Sequence, residues 1–132
     1  MTIGQLSRAC GVTAKTIRYY EEAGLIASAR RRANGYRDYG PRDVDTLRFV
    51  RRARRLGFPL EDISALLALW SDRRRASADV RALALNHLAE IDRRIAEMKT
   101  MRKALHHLIE RCHGDDRPDC PILDQLAGED DE

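Results

Sequence analysis

From Ser77 to Arg111 the chain contains neither proline nor glycine, and Ala84, Leu88, Ile91, Ile95, Met98, Arg102, Leu105 and Ile109 follow one another at alternating spacings of four and three. That spacing is a heptad seam, so the stretch predicts one uninterrupted amphipathic helix. At 1.5 Å per residue such a helix is about 50 Å long, more than a small domain can cover. No break allows it to fold back on itself, so its apolar stripe has to meet a second chain. A homodimer is expected.

The 132-residue chain is too short for a large multidomain enzyme. No apolar run approaches the roughly 20 residues of a membrane span, and the opening MTIGQLSRACGV lacks the pattern of a secretory signal. The cytoplasm is the expected compartment. A net charge of +3 conceals an asymmetry, because residues 1–59 carry 13 Lys/Arg against 5 Asp/Glu while residues 60–132 carry 11 against 16. The first part suits a polyanion and the second would repel one, so nucleic-acid contact is expected from the first part alone.

Local signals organise that basic part. Thr2 and Gln5 have capping-box spacing ahead of a helix that ends at Gly11, and Thr13 is placed to cap a second helix running to Ala23 and Gly24. The pair reads as a helix-turn-helix over about residues 3–23. Asn34-Gly35 between short basic arms predicts a hairpin, or wing, over about 30–39. Pro41 opens a third helix with Val44, Leu47, Val50 and Leu56 on one face, and a fourth carries Ile63, Leu66, Leu67 and Trp70 inward. The expected architecture is therefore mainly α. A winged helix-turn-helix domain (1–70) precedes the dimerisation helix (77–111), with Ser77 as N-cap. A loop with a short helix started by Pro121 (112–127) and an acidic tail (128–132) follow.

On the second helix, Lys15, Thr16, Arg18 and Tyr19 lie opposite Ile17, the arrangement by which a recognition helix reaches base edges and phosphates in a major groove. Arg18 is the expected base reader. Tyr20 joins this DNA-binding set although the periodicity turns it inward. From the wing, Arg30, Arg31, Arg32, Tyr36 and Arg37 are expected to clamp flanking phosphates, with Arg31, Tyr36 and Arg37 foremost.

The stretch TIGQLSRACGVTAKTIRYYEEAGLI, the wing NGYRDYG and the step GFPLEDI resemble the MerR family of transcriptional regulators over nearly the whole chain. The resemblance implies an antiparallel coiled coil between protomers and an effector site at the dimer interface. It also implies regulation of promoters with an over-long spacer, whose double-stranded DNA is distorted so that RNA polymerase can use it.

Three cysteines do not make a disulfide framework. Cys10 falls with Ile3 and Leu6 and reads as a buried thiol, whereas Cys112 and Cys120 bracket a polar loop of seven residues, long enough to turn two sulfurs to one point. Two thiolates alone under-coordinate zinc, which takes about four ligands, but suit Cu(I), Ag(I) or Au(I). The resemblance adds that divalent-metal sensors of the family carry a cysteine at the start of the long helix, where this chain has Ser77. The CysX7Cys loop together with Ser77 resembles the copper-efflux regulator subgroup, and Cu(I) is the expected effector. A divalent metal, or a DNA-binding protein without effector, is the alternative. A drug-sensing activator would need an aromatic-lined pocket in an added domain, yet all seven aromatics lie at or before Trp70. An iron-sulfur sensor would need about four clustered cysteines. No phosphate loop, nucleophile elbow or HExxH-like stretch suggests an enzyme.

Overall fold

The computed structural model describes residues 1–27, 30–31 and 37–128, so the acidic tail after Gly128 lies outside the described residues. Its elements are α1 (Ile3–Cys10), α2 (Ala14–Glu22), β1 (Arg30–Arg31), β2 (Arg37–Asp38), α3 (Pro41–Arg55), α4 (Leu60–Ser71), α5 (Ser77–Arg111) and α6 (Pro121–Leu126). They fall into two units, Met1–Ala84 and Leu85–Glu132.

In the first unit each helix end has a local cause. Thr2 accepts the Gln5 N–H while the Gln5 side chain accepts the Thr2 N–H at 2.8 Å, completing the capping box of α1. Gly11 then takes φ 75°, a left-handed conformation open to glycine at little cost, and its N–H closes the helix on the Ser7 carbonyl. Thr13 caps α2 by accepting the Thr16 N–H at 3.2 Å. Pro41 occupies the first turn of α3, and the Asp43 carboxylate accepts the Gly40 N–H at 2.8 Å. The two strands pair antiparallel, Arg30 with Asp38 and Arg31 with Arg37. The Tyr39 N–H donates to the Met1 carbonyl at 2.9 Å, which ties the end of β2 to the start of α1.

Leu6, Cys10, Ile17, Leu47, Val50 and Ile63 are almost wholly buried and form the centre of one core, joined by Val12, Tyr20, Ile26, Tyr39, Val44, Ala53 and Phe58. Leu6 and Cys10 from α1, Ile17 and Tyr20 from α2, and Val44, Leu47 and Val50 from α3 hold the helix-turn-helix against α3. Glu21 is buried too, and it accepts the Tyr39 hydroxyl.

Two inward assignments are corrected. Leu56 is 66% exposed, because nine residues after Leu47 it lies about half a turn around from the buried face of α3, and after the turn at Gly57 (φ 81°) it is Phe58 that enters the core. Trp70 is 46% exposed and stacks flat on Phe49 with ring centroids 4.6 Å apart, at the rim of the core. Leu83 packs against this core, so the first unit takes in the opening turns of α5 and extends past residue 70. Ser77 is the first residue of α5, one position inside the helix it was expected to cap.

The second unit comprises the rest of α5, the loop after it and α6. No residue of α5 is buried, and Leu88, Ile95, Met98, Leu105 and Ile109 are each about half exposed or more. Its outer face is held by ion pairs of Arg93 with Glu90 and Glu97, and of Arg94 with Glu90 at 3.3 Å. The hydrogen bond from Arg93 and the charge of both arginines hold the Glu90 carboxyl below the usual glutamate range. No helix among the described residues is long and apolar enough to cross a membrane.

Candidate nucleic-acid interface and thiol loop

Burial of Ile17 fixes the rotation of α2 and leaves Lys15, Arg18 and Tyr19 exposed on its other side. Thr16 is half-buried, and its hydroxyl accepts the Thr13 hydroxyl at 2.8 Å, which steadies the first turn of the helix. Tyr20, placed above with the DNA-binding set, is only 7% exposed and belongs to the core. Its inward periodicity prevails, and it reaches the surface only where it lines a cleft beside Thr13 and Thr16. Of the wing, the backbones of Arg31 and Arg37 face each other across the strand pair. Arg32, the Asn34-Gly35 turn and Tyr36 lie outside the described residues.

Beside α2 the structure assembles a basic surface that the sequence reading passed over. A cleft of about 330 Å³ is lined by Arg8, Ala9, Cys10, Gly11, Arg48, Arg51, Arg52 and Arg55. A second, of about 490 Å³, shares Gly11, Arg51 and Arg55 with it and continues through Thr13, Thr16 and Arg54 to the start of α2. Arg48 donates to the Ala9 carbonyl at 3.1 Å, capping the end of α1 with a cation. The Arg51 guanidinium lies across Gly11, so close that a Cβ there would meet its Nη1 at 2.5 Å. None of these six arginines has a carboxylate partner among the described residues. Six unneutralised guanidinium groups beside α2 repel one another unless an anion lies among them, and a phosphodiester backbone is one polyanion that supplies such charge continuously. The signal was the run RFVRRARR, which at helical spacing sets Arg48, Arg51, Arg52 and Arg55 along one side of α3.

In the second unit the thiol loop begins where α5 ends. The Cys112 N–H donates to the Ile109 carbonyl at 3.0 Å, and Gly114 at φ 66° reverses the chain. Asp115 accepts both the backbone N–H of Arg117 at 3.0 Å and its guanidinium at 2.9 Å. Cys120 then precedes α6, its carbonyl accepting the Asp124 N–H at 3.0 Å. Both thiols are free and half-buried. No group of three or more His, Cys, Asp or Glu among the described residues is arranged to hold a metal ion. The donor chemistry within the loop is thus two soft sulfurs, with Asp115 already engaged by Arg117 and His113 exposed. Cys10 is 2% exposed, a core thiol of the first unit.

Residues 1–69 match the family described as "MerR HTH family regulatory protein" and residues 44–108 the one described as "MerR, DNA binding". A protein of Rhizobium meliloti (strain 1021) named "Heavy metal-dependent transcription regulator 2" is 58% identical over 127 residues, covering 96% of this chain and 86% of that protein. The regulator CueR of Salmonella typhimurium is 45% identical over 128 residues, covering 97% of this chain and 93% of that one. Among solved structures, the transcription regulator PbrR691 from Ralstonia metallidurans CH34 in complex with lead(II) superposes with a TM-score of 0.84 at 28% identity, covering 96% of this chain and 98% of its own. A capped helix-turn-helix, paired basic strands, a long helix with an uncovered apolar face and two family matches that jointly span most of the sequence lead to one assignment: the chain belongs to the MerR family of transcriptional regulators.

Proposed function

We propose that this MerR-family regulator is a homodimer that binds double-stranded promoter DNA through residues 1–70, senses a monovalent coinage metal through Cys112 and Cys120, and activates metal-efflux promoters by distorting their DNA for RNA polymerase. Metal responsiveness as such has support from the relatives, one named a heavy metal-dependent regulator and another CueR. The choice of Cu(I), with Ag(I) and Au(I) as further effectors, rests on one observation, the donor set. Two thiols flank a loop whose Asp115 is bound to Arg117, and the long helix begins with Ser77, at the position where the family resemblance puts a cysteine in divalent-metal sensors.

Cys112 and Cys120 would hold the ion, and as thiolates they give a +1 ion a site of net charge −1 and a +2 ion a neutral one. Charge alone does not choose. Coordination does, because Cu(I) is satisfied by sulfur in low coordination, whereas a divalent ion entering here loses more hydration than two sulfurs return. The lead(II) complex of PbrR691 is the specific observation on the side of a divalent effector. At the DNA, Arg18 reads bases, Lys15, Thr16 and Tyr19 support the contact, and Arg31, Tyr36 and Arg37 grip phosphates from the wing. The arginines around Gly11 anchor the strand beside α2.

Titration of the reduced protein with Cu(I), Ag(I), Zn(II) and Pb(II) against a competing chelator, paired with run-off transcription, tests this reading. One Cu(I) per protomer and loss of metal-dependent transcription in Cys112→Ser and Cys120→Ser, with DNA binding retained, are expected. Equal activation by Pb(II) or Zn(II) and Cu(I) would assign the chain to the divalent alternative.

A further inference from the structure

Among the described residues Glu21 is the one charged or polar side chain in the core, 8% exposed. A carboxylate taken out of water loses its hydration, and two apolar side chains of similar volume would fill the same space without that penalty. What a carboxylate offers in their place is direction. It accepts the hydroxyl of Tyr39, a residue itself 4% exposed.

The pair stands where the recognition helix meets the wing. Glu21 is in the last turn of α2, and Tyr39 directly follows β2. The chain leading into β1 leaves α2 at the same place, since the Tyr20 carbonyl accepts the N–H of Leu25 at 3.0 Å and that of Ile26 at 3.5 Å. The chain leaving β2 returns at Tyr39, whose N–H donates to the Met1 carbonyl at 2.9 Å and whose hydroxyl donates to Glu21. Both roots of the strand pair are therefore tied to two consecutive residues of α2, one through backbone and one through the buried side chains. We propose that Glu21 and Tyr39 are positioning residues for DNA recognition, a latch that fixes the wing against α2 so that base reading by Arg18 and phosphate gripping by Arg37 share one rigid frame. The inference rests on the DNA contacts proposed above and adds to them two residues buried away from the DNA.

The shortness of the strands gives the latch its effect. Arg37 lies two residues before Tyr39, and the strands are joined by two residue pairs, Arg30 with Asp38 and Arg31 with Arg37. So short a ladder does not set its own direction against the body of the domain. Without the hydroxyl bond Tyr39 keeps its backbone tie to the start of α1, but the link to α2 passes through the first root alone, and Arg37 shifts relative to the groove in which α2 lies. Base contacts made by α2 persist, because the Thr13 cap and the burial of Ile17 hold that helix independently of the wing.

Substitutions in the full-length chain test this on a duplex that the wild-type protein selects from a random pool. Tyr39→Phe removes the hydroxyl and keeps the ring. Fluorescence anisotropy across a salt series should show binding roughly tenfold weaker, with the slope of log K against log salt lower by about 0.9, the signature of one lost phosphate contact. Preference for the selected duplex over random DNA should stay within about twofold of wild type, since Arg18 still reads its base. Adding Arg37→Ala to Tyr39→Phe should weaken binding by less than about twofold more, because the contact it removes is already gone. Glu21→Gln, which keeps an acceptor of the same shape, should retain the wild-type salt slope, whereas Glu21→Leu should behave like Tyr39→Phe. Where Arg37→Ala by itself weakens binding, fully additive losses for it and Tyr39→Phe, or a wild-type slope in Tyr39→Phe, would overturn the proposal. If Arg37→Ala by itself changes nothing, the phosphate role of that arginine fails separately, and amide hydrogen exchange decides the latch. Faster exchange of the β1 and β2 amides in Tyr39→Phe, with α2 unchanged, is then the expected result, and exchange equal to wild type would overturn it.

Discussion

Gly11→Ala isolates a link between the turn of the helix-turn-helix and the basic cleft. Two separable effects follow from the geometry. At φ 75° any other residue is strained, with a cost of roughly 1 kcal/mol for alanine. The new Cβ would also lie 2.5 Å from Nη1 and 3.0 Å from Cζ of Arg51, so the guanidinium must swing away. A flexible side-chain end moves at little cost in stability, but a phosphate contact leaves with it. Losing one such contact flattens the slope of log K against log salt by about 0.9 and weakens binding roughly tenfold at 0.1 M salt. Gly24→Ala is the internal control. It carries the same strain at φ 74°, with no heavy atom within 4 Å of its Cβ. Urea denaturation should show both variants destabilised by about 1 kcal/mol, while fluorescence anisotropy on duplex DNA across a salt series should show the flatter slope for Gly11→Ala alone. Arg51→Ala should reproduce that slope without the loss of stability. Equal salt slopes for Gly11→Ala and wild type would refute the assignment of Arg51 to a phosphate.

Other outcomes follow from the same framework. Arg18→Ala should lose roughly 1 to 3 kcal/mol of discrimination between specific and random DNA, whereas Arg37→Ala should weaken both alike; competition binding separates the two. Leu47→Ala, at a position with no exposure, should cost roughly 2 to 5 kcal/mol in chemical denaturation, and a loss under 1 would mean the core relaxes around it. The folded-state pKa of Glu90 is lowered by Arg93 and Arg94, so its contribution is full above the unfolded value and is lost as pH falls through the folded one. The thermal-stability difference between wild type and Glu90→Gln should therefore shrink on acidification below about pH 4, and a difference that grew there would reverse the sign of the argument. Ser77→Cys should gain a Zn(II) or Hg(II) response in run-off transcription, since it offers a further thiolate at the head of the long helix.

Elements whose ends are set by nearest neighbours were legible in the sequence. Thr2 with Gln5, Thr13, Gly11 and Pro41 act within four residues of themselves, and α1 begins and ends, and α2 and α3 begin, where those residues place them. Positions settled by tertiary competition were less so. Leu56 does not hold the apolar spacing of α3, since at 3.6 residues per turn it lies about 180° around the helix from Leu47, and it is Phe58, after the turn at Gly57, that enters the core. Tyr20 was grouped with the exposed residues of α2, while its own spacing from Ile17 placed it inside, where it is. The basic cleft was missed for a related reason. Arg8 and Arg48 are 40 residues apart, and only the packing of α1 on α3 makes one surface of them.

A different physical logic governs the second unit. Beyond Ala84 no residue of α5 is buried, so its helical state within one chain draws there on intrinsic propensity and on pairs such as Arg93 with Glu97, each worth only a few tenths of a kcal/mol when exposed. Burying the seam against a second copy adds the missing term, at about 25 cal/mol per Å² of apolar surface removed from water. Folding of α5, dimerisation and positioning of the Cys112 and Cys120 loop are then one equilibrium. A substitution such as Ile95→Asp, far from both thiols in sequence, should therefore lower metal affinity as well as dimer affinity, and the loss of metal affinity should fade as rising protein concentration restores the dimer. Metal affinity of Ile95→Asp that stays at the wild-type level in a monomeric sample would show that each loop holds its ion alone, and would separate the sensing site from the interface.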